Sequence, residues 1–145
     1  MGLFDKLKKK DKPEKGILRY DDFAKWLDAV LEADIPDDVV SIAFNLYEDT
    51  DHHWAVEVVG TASFDGSDDD WACDEVTNFD TREKPFAWQE DASWEEVLSK
   101  VNDTVIKYLE VGKNSRILKE MKAVACGFVD GDLEVLYLKR LIPVY

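Results

Sequence analysis

The sequence predicts an α+β fold in which an antiparallel sheet of four to five strands, built from two hairpins, carries helices on one face. Apolar residues alternate with other residues at 42–47, 54–58 and 124–138, which is the period of a strand. They recur with the period of a helix at 22–33 and 94–110. Because the hairpins occur without a strand-helix-strand alternation, we expect an antiparallel sheet in a two-layer sandwich.

The first helix is predicted at residues 22–33, where Asp21 or Asp22 supplies the N-cap and Pro36 lies beyond the end. Its apolar stripe consists of Phe23, Trp26, Leu27, Val30 and Leu31. We expect this stripe to pack on the sheet.

The first hairpin follows this helix. Both of its apolar rows lie on one face only if the paired residue numbers have an even sum. Leu46 with Trp54 and Phe44 with Val56 satisfy that condition. This register predicts a three-residue loop at 49–51.

The longest helix is predicted at residues 94–110. Ser93 and Glu96 form an S-x-x-E capping box at its start. Gly112 is expected to end it in the left-handed conformation. A short helical piece is predicted at 114–121.

The second hairpin is predicted at residues 124–138. Its Asp130-Gly131 pair favours a type I′ turn, in which both central residues are left-handed. The resulting pairs are Phe128 with Leu133, Cys126 with Val135, and Val124 with Tyr137. Small residues on the other face of the first strand would let a helix or another chain approach closely. They are Ala123, Ala125 and Gly127.

The chain divides into two parts: residues 1–16 are predicted to be a flexible basic N-terminal tail, and residues 17–145 a single α+β domain. No apolar run approaches the roughly 20 residues of a membrane span, and the N-terminus lacks the apolar core of a secretory signal. With Cys73 and Cys126 as its two cysteines, a disulfide scaffold is not expected. We therefore expect a cytoplasmic protein.

The charge balance indicates the class of partner. The chain has 18 basic and 32 acidic residues, a net charge of −14. The tail holds six Lys against three carboxylates, a net of +3, which leaves −17 for the remaining residues. Such a field repels nucleic acid and anionic membranes, and it favours basic partners or simply keeps the protein soluble.

The most acidic stretch reads DGSDDDWACDEV at residues 65–76. A calcium loop starting at Asp65 would place Asp70 where glycine is required and Val76 where a bidentate glutamate is required. The spacing of Cys73, Cys126 and the two histidines does not suit zinc. We expect neither a metal nor a cofactor, although a looser cation site in the 65–75 carboxylate cluster stays open.

An aromatic residue among carboxylates is typical of an interface that holds a basic partner. The candidate partner-binding residues are Asp65, Asp68, Asp69, Asp70, Trp71, Asp74, Glu75 and Trp88. An alternative interpretation is that Trp71 and Trp88 fill the core while the acids form a solvated face. Residues 65–92 are expected to be mostly irregular, with a strand around 86–89.

No motif for nucleophilic catalysis is present: there is no G-x-S-x-G, and Cys126 is expected to face the core. We therefore expect a protein that is not an enzyme and has no catalytic residues. The alternative is a metal-assisted hydrolase that uses the 65–75 carboxylates.

The order of these segments resembles small acidic bacterial proteins, some of which look like immunity proteins of polymorphic or contact-dependent toxin systems. The resemblance lies in IAFNLYED, WAVEVVG, DDDWACDEV and the closing GFVDGDLEVLYL. It implies a non-enzymatic inhibitor that docks on a basic toxin domain, with the acidic stretch as the candidate interface.

Overall fold

The computed structural model describes residues 18–140. The helices are α1 (Tyr20–Glu32), α2 (Trp94–Val111) and α3 (Ser115–Lys119), and a 3₁₀ turn spans Asp70–Cys73. The strands are β1 (Ser41–Thr50), β2 (His53–Thr61), β3 (Glu75–Asp80), β4 (Phe86–Gln89), β5 (Ala123–Phe128) and β6 (Glu134–Leu138). The tail predicted at residues 1–16 lies outside the described residues.

The α+β class is confirmed, but the sheet is mixed rather than antiparallel. Its described strands run in the order β3-β2-β1-β5-β6, and β4 pairs with the part of β2 that β3 leaves open. β1 and β5 are parallel, with Phe44 opposite Cys126. The two hairpins therefore join through their first strands, and the six strands exceed the predicted four to five. Alternation within each hairpin contains no information about this long-range pairing.

The first hairpin differs from its predicted register by two residues. Leu46 pairs with Val56 and Phe44 with Val58, so both apolar rows do face one side. The loop is shorter than predicted because the pairing shifts between Glu48 and Thr50 and the turn is made by Asp51 and His52. His52 has a φ of 60°, the left-handed conformation that a tight turn of this kind needs.

The type I′ turn predicted for the second hairpin is wrong. The Gly131 N–H donates to the carbonyl of Phe128 at 2.9 Å, so the central residues are Val129 and Asp130. Neither Asp130 nor Gly131 has a left-handed backbone. Val124 pairs with Tyr137 as predicted, but the register shifts nearer the turn and Cys126 lies opposite Glu134 instead of Val135.

The helices begin and end close to the predicted positions. The Ser93 side chain accepts a hydrogen bond from the Glu96 N–H at 3.2 Å, which confirms the cap of α2. Gly112 has φ −66° and is not left-handed, so that prediction is wrong. A Cβ on Gly112 would lie 2.6 Å from Tyr108, which is why no larger residue fits there. Arg19, rather than Asp21 or Asp22, occupies the N-cap of α1.

The main core lies between the helices and one face of the sheet. Its fully buried side chains include Phe23, Leu27, Phe44, Val56, Val101 and Cys126. A second, smaller cluster on the opposite face contains Ala43, Ala125 and Trp71. The helices thus cover one face, and the acidic segment covers part of the other.

In residues 18–140 we find no helix with the length and hydropathy that crossing a membrane requires.

Candidate functional site

The acidic segment, residues 62–74, is held against the sheet by Trp71. This side chain is only 4% exposed and packs with Ala43 and Ala125. The rings of Phe64 and Trp71 are 5.1 Å apart. The close approach that the small residues of β5 predict is therefore made by this chain's own segment, because alanine leaves room for the indole on this face.

The carboxylates of the acidic segment shape its backbone. Asp65 accepts hydrogen bonds from the backbone N–H and the hydroxyl of Ser67, which lower the pKa of Asp65. Asp68 accepts from the Asp70 N–H at 2.9 Å. The Leu133 N–H donates to Asp69 at 3.1 Å, which attaches the segment to the beginning of β6. Exposed carboxylates are therefore held in fixed places on the surface.

The structure brings together only part of the predicted partner-binding set. Asp65, Asp68, Asp69, Asp70 and Asp74 are exposed near Trp71, whose ring is buried.

The two other predicted residues lie in different surroundings. Glu75, at the beginning of β3, pairs with Arg82, and this hydrogen bond raises the pKa of Arg82. Trp88 on β4 lies opposite Trp54 and donates its indole N–H to Glu90 at 3.0 Å. Trp88 packs on the helix-side core, so the sheet separates it from Trp71.

A second feature, which we call the aromatic groove, lies where β1 ends, β2 begins and β5 leads into the second turn. Its volume is about 790 Å³. It is lined by Tyr47, Glu48, Trp54, Trp94, Leu98, Phe128, Val129, Asp130, Gly131 and Asp132. Three of these residues are acidic and none is basic.

The aromatic rings of the groove are arranged around Phe128. The ring of Trp54 lies 6.0 Å from it at 68°, and that of Trp94 lies 6.0 Å from it at 87°. Trp54 is buried and donates its indole N–H to the Glu90 carbonyl at 2.9 Å. Trp94, in contrast, is 57% exposed. The groove therefore contains one exposed indole, Trp94, beside the rings of Phe128 and the buried Trp54.

The acidic segment and the aromatic groove adjoin each other. Asp69 binds the N–H of Leu133, and the preceding residue, Asp132, lines the groove. We call the exposed carboxylates of the acidic segment, together with Asp130 and Asp132, the acidic surface. Sequence reasoning missed Trp94, Phe128 and the two turn aspartates as site residues, because periodicity assigns them only to a helix and a hairpin. A tryptophan at the first position of α2, followed by Glu95 and Glu96, was the available signal.

Another groove, of about 970 Å³, lies between α1 and the loop before β4. Its charged lining residues are Asp22, Lys25, Asp80, Arg82, Glu83 and Lys84. The three basic and three acidic side chains give it no preference for one sign of charge.

Within residues 18–140, the group that could hold a metal ion is Glu48, Asp51 and His52, whose possible ligand atoms lie within 4.8 Å of one another. It includes none of the 65–75 carboxylates. One Glu48 oxygen already accepts the His52 N–H at 2.9 Å. His52 and His53 do not converge, because Nδ1 of His53 lies 3.0 Å from the Thr50 hydroxyl while Nε2 of His52 faces Asp91.

The two thiols occupy opposite environments. Cys126 is fully buried as predicted, and burial raises its pKa to about 12. A thiol in that state is a poor nucleophile at neutral pH. Cys73 is exposed at the end of the 3₁₀ turn.

No protein-family model, no curated protein and no solved structure matches this chain. Its function is therefore inferred from its own geometry and charge.

Proposed function

We propose that this protein is a non-enzymatic, cytoplasmic binding protein whose acidic surface docks on a basic protein. An immunity-type inhibitor that covers a basic toxin domain is the function of this class that we favour. The observation that carries the proposal is that the acidic segment reaches the aromatic groove at the edge of the sheet, where Asp69 accepts the Leu133 N–H and the neighbouring Asp132 lines the groove, and that no basic side chain is among the lining residues.

Electrostatics supports the choice of partner. The chain carries a net charge of −14, and seven exposed aspartates lie on the acidic surface. A field of this sign accelerates association with a cationic protein, and salt weakens the effect because it shortens the screening length to about 10 Å at 0.1 M. Positively charged grooves that normally hold nucleic acid are therefore suitable targets.

The packing of Trp71 determines which part of the acidic segment would contact a partner. Because Trp71 is 4% exposed, its ring positions the segment rather than touching a partner. The carboxylates accept backbone N–H groups at Ser67, Asp70 and Leu133. These bonds fix the carboxylates before binding, so little conformational entropy is lost when a partner docks.

The test compares two variants with the same change in net charge. The first, called the segment variant, changes three residues of the acidic segment: Asp65→Asn, Asp68→Asn and Asp70→Asn. The second, called the helix-side variant, changes three residues on the helix side: Asp103→Asn, Glu110→Gln and Glu120→Gln. Both variants change the net charge from −14 to −11. Asparagine keeps the side-chain oxygen that accepts the backbone N–H, so the segment should retain its shape. Proteins captured from the producing cell are identified, purified and bound again to each variant.

We expect one basic protein to bind the wild type and the helix-side variant alike, and to associate at least about tenfold more slowly with the segment variant at low salt. Equal association rates for the two variants would contradict the proposal. So would micromolar binding of Mg²⁺, Mn²⁺ or Zn²⁺ together with hydrolysis of an ester or phosphoester, which would instead establish the hydrolase alternative.

A further inference from the structure

We propose that the aromatic groove is a pocket for an arginine side chain of the partner, with the guanidinium stacked on Trp94 and facing the carboxylates of Glu48, Asp130 and Asp132. This inference rests on the proposed function, because it names the group by which a basic partner would be anchored. The acidic segment would attract the partner, and the groove would hold it.

The charge of the lining residues indicates that the ligand is positively charged. Glu48, Asp130 and Asp132 line the groove, all three are exposed, and no lysine or arginine is among the lining residues. The indole of Trp94 is 57% exposed, and the face of an indole attracts cations. Carboxylates and an open aromatic face at one site favour a cationic group over a neutral one.

The shape of the lining favours arginine over lysine. A guanidinium is planar, so it can lie flat on an indole and present its N–H groups to carboxylates at the edge. Leu98 and Val129 supply apolar contacts for the methylene stem of the side chain. The ammonium group of lysine is compact and more strongly hydrated, so it gains less from the same surface.

The groove is held in place before any ligand arrives. Trp94 is the first residue of α2, whose start is fixed by the bond between Ser93 and the Glu96 N–H. Its ring and that of Phe128 form a T-shaped pair, and Phe128 in turn contacts the buried Trp54. An exposed tryptophan fixed in this way is a suitable hot spot, because few side-chain rotamers are lost on binding.

The experiment follows the indole N–H signals of the full-length chain by NMR while short peptides are added. Three peptides differ at one central position, which is arginine, lysine or citrulline; citrulline keeps the shape of arginine without its charge. We expect the arginine peptide to shift the Trp94 signal in a saturable way. The lysine peptide should bind about tenfold more weakly, and the citrulline peptide should cause no saturable shift.

Matched variants test the location. The groove variant, Asp130→Asn/Asp132→Asn, should bind the arginine peptide about tenfold more weakly. The control variant, Asp37→Asn/Asp38→Asn, lies at the other end of β1 and should bind the peptide as the wild type does. Both change the net charge from −14 to −12. For Trp94→Ala, binding is followed by calorimetry and compared with Val111→Ala, a similarly exposed apolar residue at the far end of α2. Trp94→Ala should abolish measurable binding.

Three results would overturn the inference: equal binding of arginine and citrulline peptides, equal binding of arginine and lysine peptides, or equal weakening by the two aspartate pairs. The proposed function is judged separately. If a basic partner binds through the acidic segment but the arginine peptide does not bind, the groove inference fails alone. If the arginine peptide binds but no basic protein partner depends on the acidic segment, the proposed function fails alone.

Discussion

Gly127 on β5 shows how one residue without a side chain lets two chain segments meet. A Cβ at this position would lie 2.4 Å from the carbonyl oxygen of Asp132, and a backbone atom cannot move aside as a side chain can. Gly127→Ala should therefore lower the free energy of unfolding by about 2 kcal/mol, the cost of overpacking. Urea denaturation measures this change.

Gly131 is the control for this prediction. A Cβ there would meet its nearest atom, the Cβ of Phe128, at 3.7 Å, which is an ordinary contact. Gly131→Ala should thus change stability by no more than about 0.5 kcal/mol, the range of surface substitutions. If Gly131→Ala were the more damaging of the two, the turn would be left-handed at this residue after all.

At the scale of elements, Trp71 attaches the acidic segment to the sheet. Trp71→Ala should lower the free energy of unfolding by about 3 kcal/mol, because a large buried side chain is removed and a cavity is left beside Ala43 and Ala125. Chemical denaturation measures the loss. Hydrogen exchange of the Leu133 N–H should also become faster, since Asp69 would no longer be held in place to accept it.

The control for Trp71→Ala is Trp94→Ala, which also removes an indole ring, but from an exposed position. It should cost clearly less than Trp71→Ala, because 57% of the residue is already exposed in the folded protein. Equal destabilisation by the two substitutions would show that the acidic segment does not rest on the sheet.

At the scale of the whole molecule, two buried groups that lose protons in alkali, Tyr108 and Cys126, contribute to the pH dependence of stability. Burial and a hydrogen bond to Asp28 raise the pKa of Tyr108, and burial raises the pKa of Cys126 from 9.0 to about 12. The unfolded chain loses these protons near the ordinary pKa values, so the folded state binds more protons above pH 9. The contribution of Cys126 to stability should be complete below pH 9 and decline as the pH rises towards 12, whereas that of Tyr108 should begin to decline near pH 10; each decline is at most about 1.4 kcal/mol per pH unit.

Urea denaturation between pH 8 and 11 measures this decline. Cys126→Ala should make the decline less steep, because one of the two groups is removed. Cys73→Ala keeps the buried thiol and should retain the full decline. An unchanged slope in Cys126→Ala would show that this thiol ionises equally in both states.

The sequence by itself determined the features that depend on neighbouring residues. The helix predicted at 94–110 extends over Trp94–Val111, the strand expected around 86–89 is β4, and Val124 does pair with Tyr137. Cys126 was also placed correctly in the core. These predictions succeed because the periods of helix and strand, and the hydrogen bonds of a cap, are fixed within a few residues of the chain.

β3, the turn geometries and the pairing of β1 with β5 were decided only by the tertiary structure. Val76 and Phe79 in β3 are both buried although they are three residues apart, so no alternation reveals this strand.

The candidate site was likewise determined partly by the sequence and partly by the tertiary structure. The sequence identified the acidic stretch, but the fold buries Trp71 beneath it, separates Trp88 from it, and places Trp94 beside Asp130 and Asp132. Such contacts join residues far apart in the chain, and their free energy comes from burying apolar surface that becomes continuous only when the elements pack.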